Sequence, residues 1–134
     1  MKLTPYLSFS GNCEEALNFY AKIFNGEIKN LSRFEGSPAE SMSEDKQKIL
    51  HANFEADGLS FMASDGGKGV EGDMVHLSIN FDDVEDQQKI FENLSQGGKV
   101  TMPLEDAFWG ARFGMLTDKY GINWMVNCEI KKGQ

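Results

Sequence analysis

The strongest constraint on this chain is that it is written twice. Pro5-Tyr6-Leu7-Ser8-Phe9 is echoed by Val75-His76-Leu77-Ser78-Ile79. The segment 12–26, NCEEALNFYAKIFNG, has a counterpart in 83–97, DVEDQQKIFENLSQG. Leu59-Ser60-Phe61-Met62-Ala63 follows Asp57-Gly58, and Ile122-Asn123-Trp124-Met125-Val126 follows Tyr120-Gly121. The same order of pieces in both halves predicts two copies of one supersecondary unit. Two such copies, facing each other, enclose a cavity, so matched positions carry more information than any single motif.

Local patterns give each copy the order βαβββ. Leu3–Ser10 alternates as a half-buried strand, with Leu7 and Phe9 on one face and Tyr6, Ser8 and Ser10 on the other. Asn12 stands as a helix N-cap, with Glu15 at the capping-box spacing. Ala16, Tyr20, Ile23 and Phe24 fall on one helical face, and Gly26 is placed to end the helix. Glu27–Phe34 reads as a strand and 35–46 as a polar loop. Ile49–Ala56 and Leu59–Ser64 form a hairpin around Asp57-Gly58. In the second copy Met74–Phe81 alternates, Asp83 caps a helix bearing Val84, Ile90, Phe91 and Leu94, and Gly97-Gly98 closes it. Lys99–Leu104 is a strand, and Trp109–Asp118 with Ile122–Glu129 forms the last hairpin. Strand phase sends Leu7, Phe9, Leu77, Ile79 and Phe81 beneath the helices. It leaves Tyr6, Ser8, His76 and Ser78 to line the cavity.

The fold expected is therefore α+β: two βαβββ modules in tandem, each a curled mixed sheet with a helix on one face. Residues 1–134 form one domain, with a first module at about 1–65, a linker at 66–73 and a second module at about 74–129. The linker, DGGKGVEGD from Asp65, lacks the GxxxxGK[ST] spacing of a phosphate cradle. A formal charge of −8 without a Lys/Arg cluster argues against nucleic acid. No apolar run approaches the ~20 residues of a membrane span, and no secretory leader is visible. Cys13 and Cys128 read as reduced thiols of a cytoplasmic protein.

The doubled plan resembles the vicinal oxygen chelate superfamily of glyoxalase I, bleomycin-resistance proteins and extradiol dioxygenases. Within it the chain looks most like the PhnB-like proteins, often labelled 3-demethylubiquinone-9 3-methyltransferases. The likeness runs from about Leu3 to Cys128. It is carried by Pro5–Phe9, Glu14–Tyr20, His76–Ile79 and above all FWGARFG at Phe108–Gly114 and DKYGINW at Asp118–Trp124. Metal-using members of the superfamily place ligands on the first and last strand of each copy, typically two His/Gln and two Glu. The matching positions here are Tyr6 (or Pro5, one residue away), Met62, His76 and Met125. Thioethers are poor ligands for hard divalent ions, and neither glutamate is present. The resemblance thus implies the fold while the residues imply no metal and no cofactor.

The candidate ligand-binding residues are Tyr6, Ser8, Met62, His76, Ser78, Trp109, Phe113, Met115 and Met125. His76 is also the candidate catalytic residue, either a ligand-binding imidazole or a hydrogen-bonded remnant of a metal site. Trp109 reads as a platform for a flat ligand or as a lid, at the start of a strand. Tyr6 either donates to a ligand oxygen or reaches Ser8 or water. Arg112 reads as a rim anchor for an anion or a partner of Glu105 or Asp106, and His51 receives no role. The expected function is metal-independent binding of an apolar or aromatic small molecule in the cavity, by a homodimer. The alternative is a lyase, isomerase or dioxygenase-like enzyme that uses His76 as metal ligand or general base. Methyl transfer is not supported, since no glycine-rich Rossmann turn opens the chain.

Overall fold

The computed structural model describes residues 1–130. They divide into two compact units, one spanning Met1–Val70 and one beginning at Glu71, so the division falls inside the glycine-rich linker.

The first unit runs β1 (Tyr6–Ser8), α1 (Cys13–Phe24), β2 (Glu27–Arg33), β3 (Ile49–Ala56) and β4 (Leu59–Ser64). Its sheet has the order β1-β4-β3-β2, with β1 parallel to β4 and the other pairs antiparallel. The expected Leu3–Ser10 strand shrinks to three residues. Helix α1 buries Cys13, Ala16, Leu17 and Tyr20, a helical stripe. Under it Phe54 and Phe61 stack with ring centroids 4.7 Å apart, and Tyr20 meets both edge-on. Ile23 and Phe24, expected in the core, are only half-buried.

The start of α1 corrects the sequence reading. Asn12 has φ −114° and ψ 20°, outside the extended conformation of a capping residue, and its side chain makes no cap bond. Asp65, just beyond β4, does the work instead. Its Oδ1 accepts from Gly11 N at 2.8 Å and Cys13 N at 2.9 Å, and its Oδ2 accepts from Ile49 N at 2.9 Å. A charged acceptor makes stronger bonds than the Asn12 amide and ties helix to sheet. At the other end Asn25 (φ 53°), not Gly26, adopts the left-handed conformation. Gly26 is glycine for another reason: a Cβ there would stand 2.5 Å from Phe54 Cζ.

The second unit runs β5 (Leu77–Phe81), α2 (Val84–Ser95), β6 (Lys99–Ala107), β7 (Ala111–Thr117) and β8 (Asn123–Glu129). Its sheet order, β5-β8-β7-β6, repeats the first, again with the first strand parallel to the last. Asp83 caps α2 as expected, its Oδ1 accepting from Glu85 N at 3.3 Å. Helix α2 buries Gln87, Phe91 and Leu94, and the sheet buries Leu116, Trp124, Val126 and Cys128. Strand β6 is longer than the expected Lys99–Leu104 and holds Pro103. It lies at the sheet edge, where a missing N–H is tolerated. These are two four-stranded mixed sheets in a tandem glyoxalase-like α+β plan.

Candidate functional site

Each sheet has one face under its helix and one face free of it. In the first unit the helix-free face carries the row Tyr6–Met62–Asn53–Lys29, in register across all four strands. Ser8 lies opposite Ser64 on β4. Tyr6 is 44% exposed. Its hydroxyl does not reach Ser8: it bonds His51 Nδ1 at 3.1 Å, across the intervening strand β4. His51 Nε2 bonds Asn53 Oδ1 at 2.8 Å. His51, given no role from sequence, is thus joined to Tyr6. The signal was present, since His51 and Asn53 alternate with buried Ala52 and Phe54. Lys29 closes the row with a 2.7 Å bond to Glu55, which holds that carboxyl below its ordinary 4.5.

In the second unit the corresponding row is Ser78–Met125–Met115–Met102. Asn80, Asn127, Phe113 and Glu105 form the next row. Gly114 fixes the facing: a Cβ on it would stand 2.9 Å from Phe91 of α2. Phe113 and Met115, its neighbours, therefore project from the opposite face. Phe113, Met115 and Met125 are half-buried there.

Trp109 does not begin a strand. It sits in the turn joining β6 and β7, 54% exposed, its ring edge-on to Phe113 at 5.4 Å and to Phe108 at 5.1 Å. The contact with Phe113 ties it to the methionine face. His76 is half-buried and lies one residue before β5, short of the expected strand Met74–Phe81. The registers also offset the repeat. Tyr6 faces Met62 as Ser78 faces Met125, so Ser78, and not His76, is the counterpart of Tyr6.

Arg112 turns toward α2. It donates to Gln88 Oε1 at 2.7 Å and lies 3.9 Å from Asp106, while the Gln87 amide donates to its carbonyl at 2.8 Å. It lines a groove with Val84, Lys89 and Ile130 on the helix side of the sheet, away from the methionine row.

At the positions matched to metal ligands, the first unit offers a phenol already bonded to His51 beside a thioether, and the second offers a thioether with Ser78, not His76, in register beside it. Among the described residues no group of three or more His, Cys, Asp or Glu side chains is placed to hold a metal ion. Neither unit's pair fits a hard divalent cation. Both cysteine thiols are free and buried. Burial, then the charges of Asp65 and Glu14, pushes the Cys13 thiol up to about 12, and burial raises that of Cys128.

Known proteins place this geometry. The model of a family described as 3-demethylubiquinone-9 3-methyltransferase matches residues 1–127. Protein YjdN of Escherichia coli is 34% identical over 140 residues, covering 95% of each chain. The crystal structure of protein PA1353 from Pseudomonas aeruginosa is 36% identical with a TM-score of 0.86, covering 98% of this chain and 99% of that one. The PhnB protein from Bacillus cereus is 32% identical with a TM-score of 0.81, covering 96% and 99%. A glyoxylase/bleomycin resistance protein/dioxygenase domain from Frankia, at 17% identity and a TM-score of 0.67 over 100% of this chain and 95% of that one, shares the fold. No helix among the described residues is long and apolar enough to cross a membrane. The chain belongs to the family described as 3-demethylubiquinone-9 3-methyltransferase, and the PhnB protein is among its relatives.

Proposed function

We propose that this chain is a metal-independent small-molecule-binding protein that takes an apolar or aromatic ligand on the helix-free faces of its sheets. The observation that carries the reading is the methionine row of the second sheet. Met102, Met115 and Met125 stand side by side in register, with Phe113 and Trp109 beside them. Flexible thioethers conform to irregular apolar shapes and favour aromatic rings. Ser78 and His76 flank that row and orient the ligand. Tyr6, Ser8 and Met62 offer the equivalent contacts on the first sheet.

The methyl transfer in the family's description finds no support in the fold. Neither unit is a parallel Rossmann-type sheet, and the first strand–helix turn is Ser10-Gly11-Asn12. Bleomycin-resistance members of the superfamily, which sequester their ligand, are the nearer analogy.

The test is a thermal-shift screen of planar aromatic compounds in EDTA, followed by methionine-methyl NMR. A ligand specific to the folded state stabilises it by about 2.7 kcal/mol at a hundred times its Kd. The reading predicts a melting rise that survives EDTA and moves the Met115 and Met125 methyl signals. Stoichiometric divalent metal needed for binding would sink it and favour the enzyme reading through His76.

The same reading includes a homodimer in a reducing cytoplasm. Supporting it are the exposed Val100, Met102, Phe108 and Trp109 of the second unit and the two free, buried thiols. Native mass spectrometry that found only monomer at micromolar concentration would remove the dimer from it.

A further inference from the structure

The Tyr6–His51–Asn53 chain has a direction. A carbonyl oxygen only accepts, so the bond of His51 Nε2 to Asn53 Oδ1 puts the imidazole proton on Nε2. A neutral imidazole carries one N–H, which leaves Nδ1 bare. Nδ1 therefore accepts the Tyr6 O–H at 3.1 Å. The phenol's single proton is spent inward. What the exposed Tyr6 oxygen presents outward is lone pairs alone. A tyrosine at the end of such a chain is an acceptor, opposite to the donor role that a free phenol hydroxyl also offers.

The floor beside it holds one apolar side chain. Met62 lies between Tyr6 and Asn53 in the same row, with Ser8 and Ser64 paired in the next row of the same face. An aromatic ring resting on the thioether of Met62 brings a ring hydroxyl to the Tyr6 oxygen.

We propose that Tyr6, His51 and Asn53 form a one-way hydrogen-bond relay that makes the helix-free face of the first sheet a site for phenols and aromatic alcohols. The inference rests on the small-molecule reading above and names its ligand class. His51 and Asn53 are positioning residues: they set the tautomer and the hydroxyl rotor. Tyr6 touches the ligand. The relay rewards an O–H donor and leaves an ether unpaired at the same spot. One net hydrogen bond is worth about two- to twelve-fold in affinity.

The experiment uses the full chain, isotopically labelled, with p-cresol and p-methylanisole as probes. Nitrogen shifts of the unliganded protein are expected to show His51 as the Nε2–H tautomer. The Nδ1–H tautomer would reverse the relay and overturn the proposal. In titrations followed at Tyr6 and His51, p-cresol is expected to bind about two- to twelve-fold more tightly than p-methylanisole. Tyr6→Phe is expected to abolish that preference while the His51 tautomer persists. Equal affinities in the wild-type chain, or no movement of the Tyr6 and His51 signals with p-cresol, overturns the relay. The Met115 and Met125 methyl signals separate the two readings. If either probe moves them while His51 shows no preference, only the relay falls. If neither probe moves them or the Tyr6 and His51 signals, the broader aromatic site falls too.

Discussion

Asp118 illustrates what a single side chain holds together. It is 3% exposed, yet its Oδ1 accepts from Tyr120 N at 2.8 Å and Ile122 N at 3.1 Å, and its Oδ2 accepts from Trp124 Nε1 at 2.8 Å. It shapes the β7–β8 turn and satisfies the most buried indole of the unit. Asp118→Ala strands these donors, at about 1–3 kcal/mol for each that water does not reach. We expect a loss of about 3 kcal/mol in urea unfolding; a loss under 1 kcal/mol would show that solvent replaces the carboxylate. The DKYGINW motif marked this residue in the sequence but did not reveal the role, because the indole bond exists only once the hairpin has closed. Cys13 gives a pH prediction. Its thiol ordinarily titrates at 9.0 and is pushed up to about 12 in the fold, by burial first. The unfolded chain loses that proton first, so from about 9 to about 12 the native state binds more protons and stability falls as pH rises. Its contribution is intact below 9.0. Cys13→Ala is expected to flatten the slope of urea stability between pH 8 and 10.5; an unchanged slope would assign it to other groups.

At the scale of elements, the period-two alternation made the strands legible and their partners less so. The β3–β4 hairpin falls where Asp57-Gly58 predicted it, from Ile49 to Ala56 and Leu59 to Ser64. Strand ends were less legible: β1 keeps only the three residues that pair with Met62–Ser64, and β5 only the five that pair with Trp124–Cys128, a fact of pairing and not of composition. The helix-free faces were half-read: phase put Tyr6 and Ser8 together, but the side-chain bond across β4 from Tyr6 to His51 needs three strands in order. Close approach was not legible at all. Gly114 reads as one more strand residue, yet a Cβ there would meet Phe91 Cε2 at 2.9 Å and Leu104 Cα at 3.2 Å. Gly114→Ala therefore pushes α2 away from β7, and overpacking of this kind costs about 1–3 kcal/mol. Gly72→Ala is the control, with open space around its Cβ and an expected change within about 0.5 kcal/mol. Equal effects in thermal melts would mean that the helix shifts without penalty.

For the molecule as a whole, charge is the property that acts everywhere at once. Asp and Glu number 21 against 13 Lys and Arg. The ion pairs among the described residues sit at the surface: Lys29–Glu55 and Arg33–Glu14 are each 2.7 Å, and in both the carboxylate is about half exposed. Surface pairs contribute about 0–1 kcal/mol each and weaken with salt. Against them stands the mutual repulsion of a net charge of −8, which favours expansion of the chain and also weakens with salt. At about 0.15 M salt the screening length is ~8 Å, longer than the bonded pairs and shorter than most distances between uncompensated acids. Repulsion is therefore screened more than attraction. We expect the melting temperature to rise when NaCl goes from about 10 to about 150 mM, a window in which the screening length falls from roughly 30 to roughly 8 Å. The same addition in Arg33→Gln, which removes the bidentate partner of Glu14, is expected to give an equal or larger rise. A fall in the wild-type melting temperature would mean that the exposed pairs outweigh the repulsion, and that the acidic excess is compensated locally by the fold.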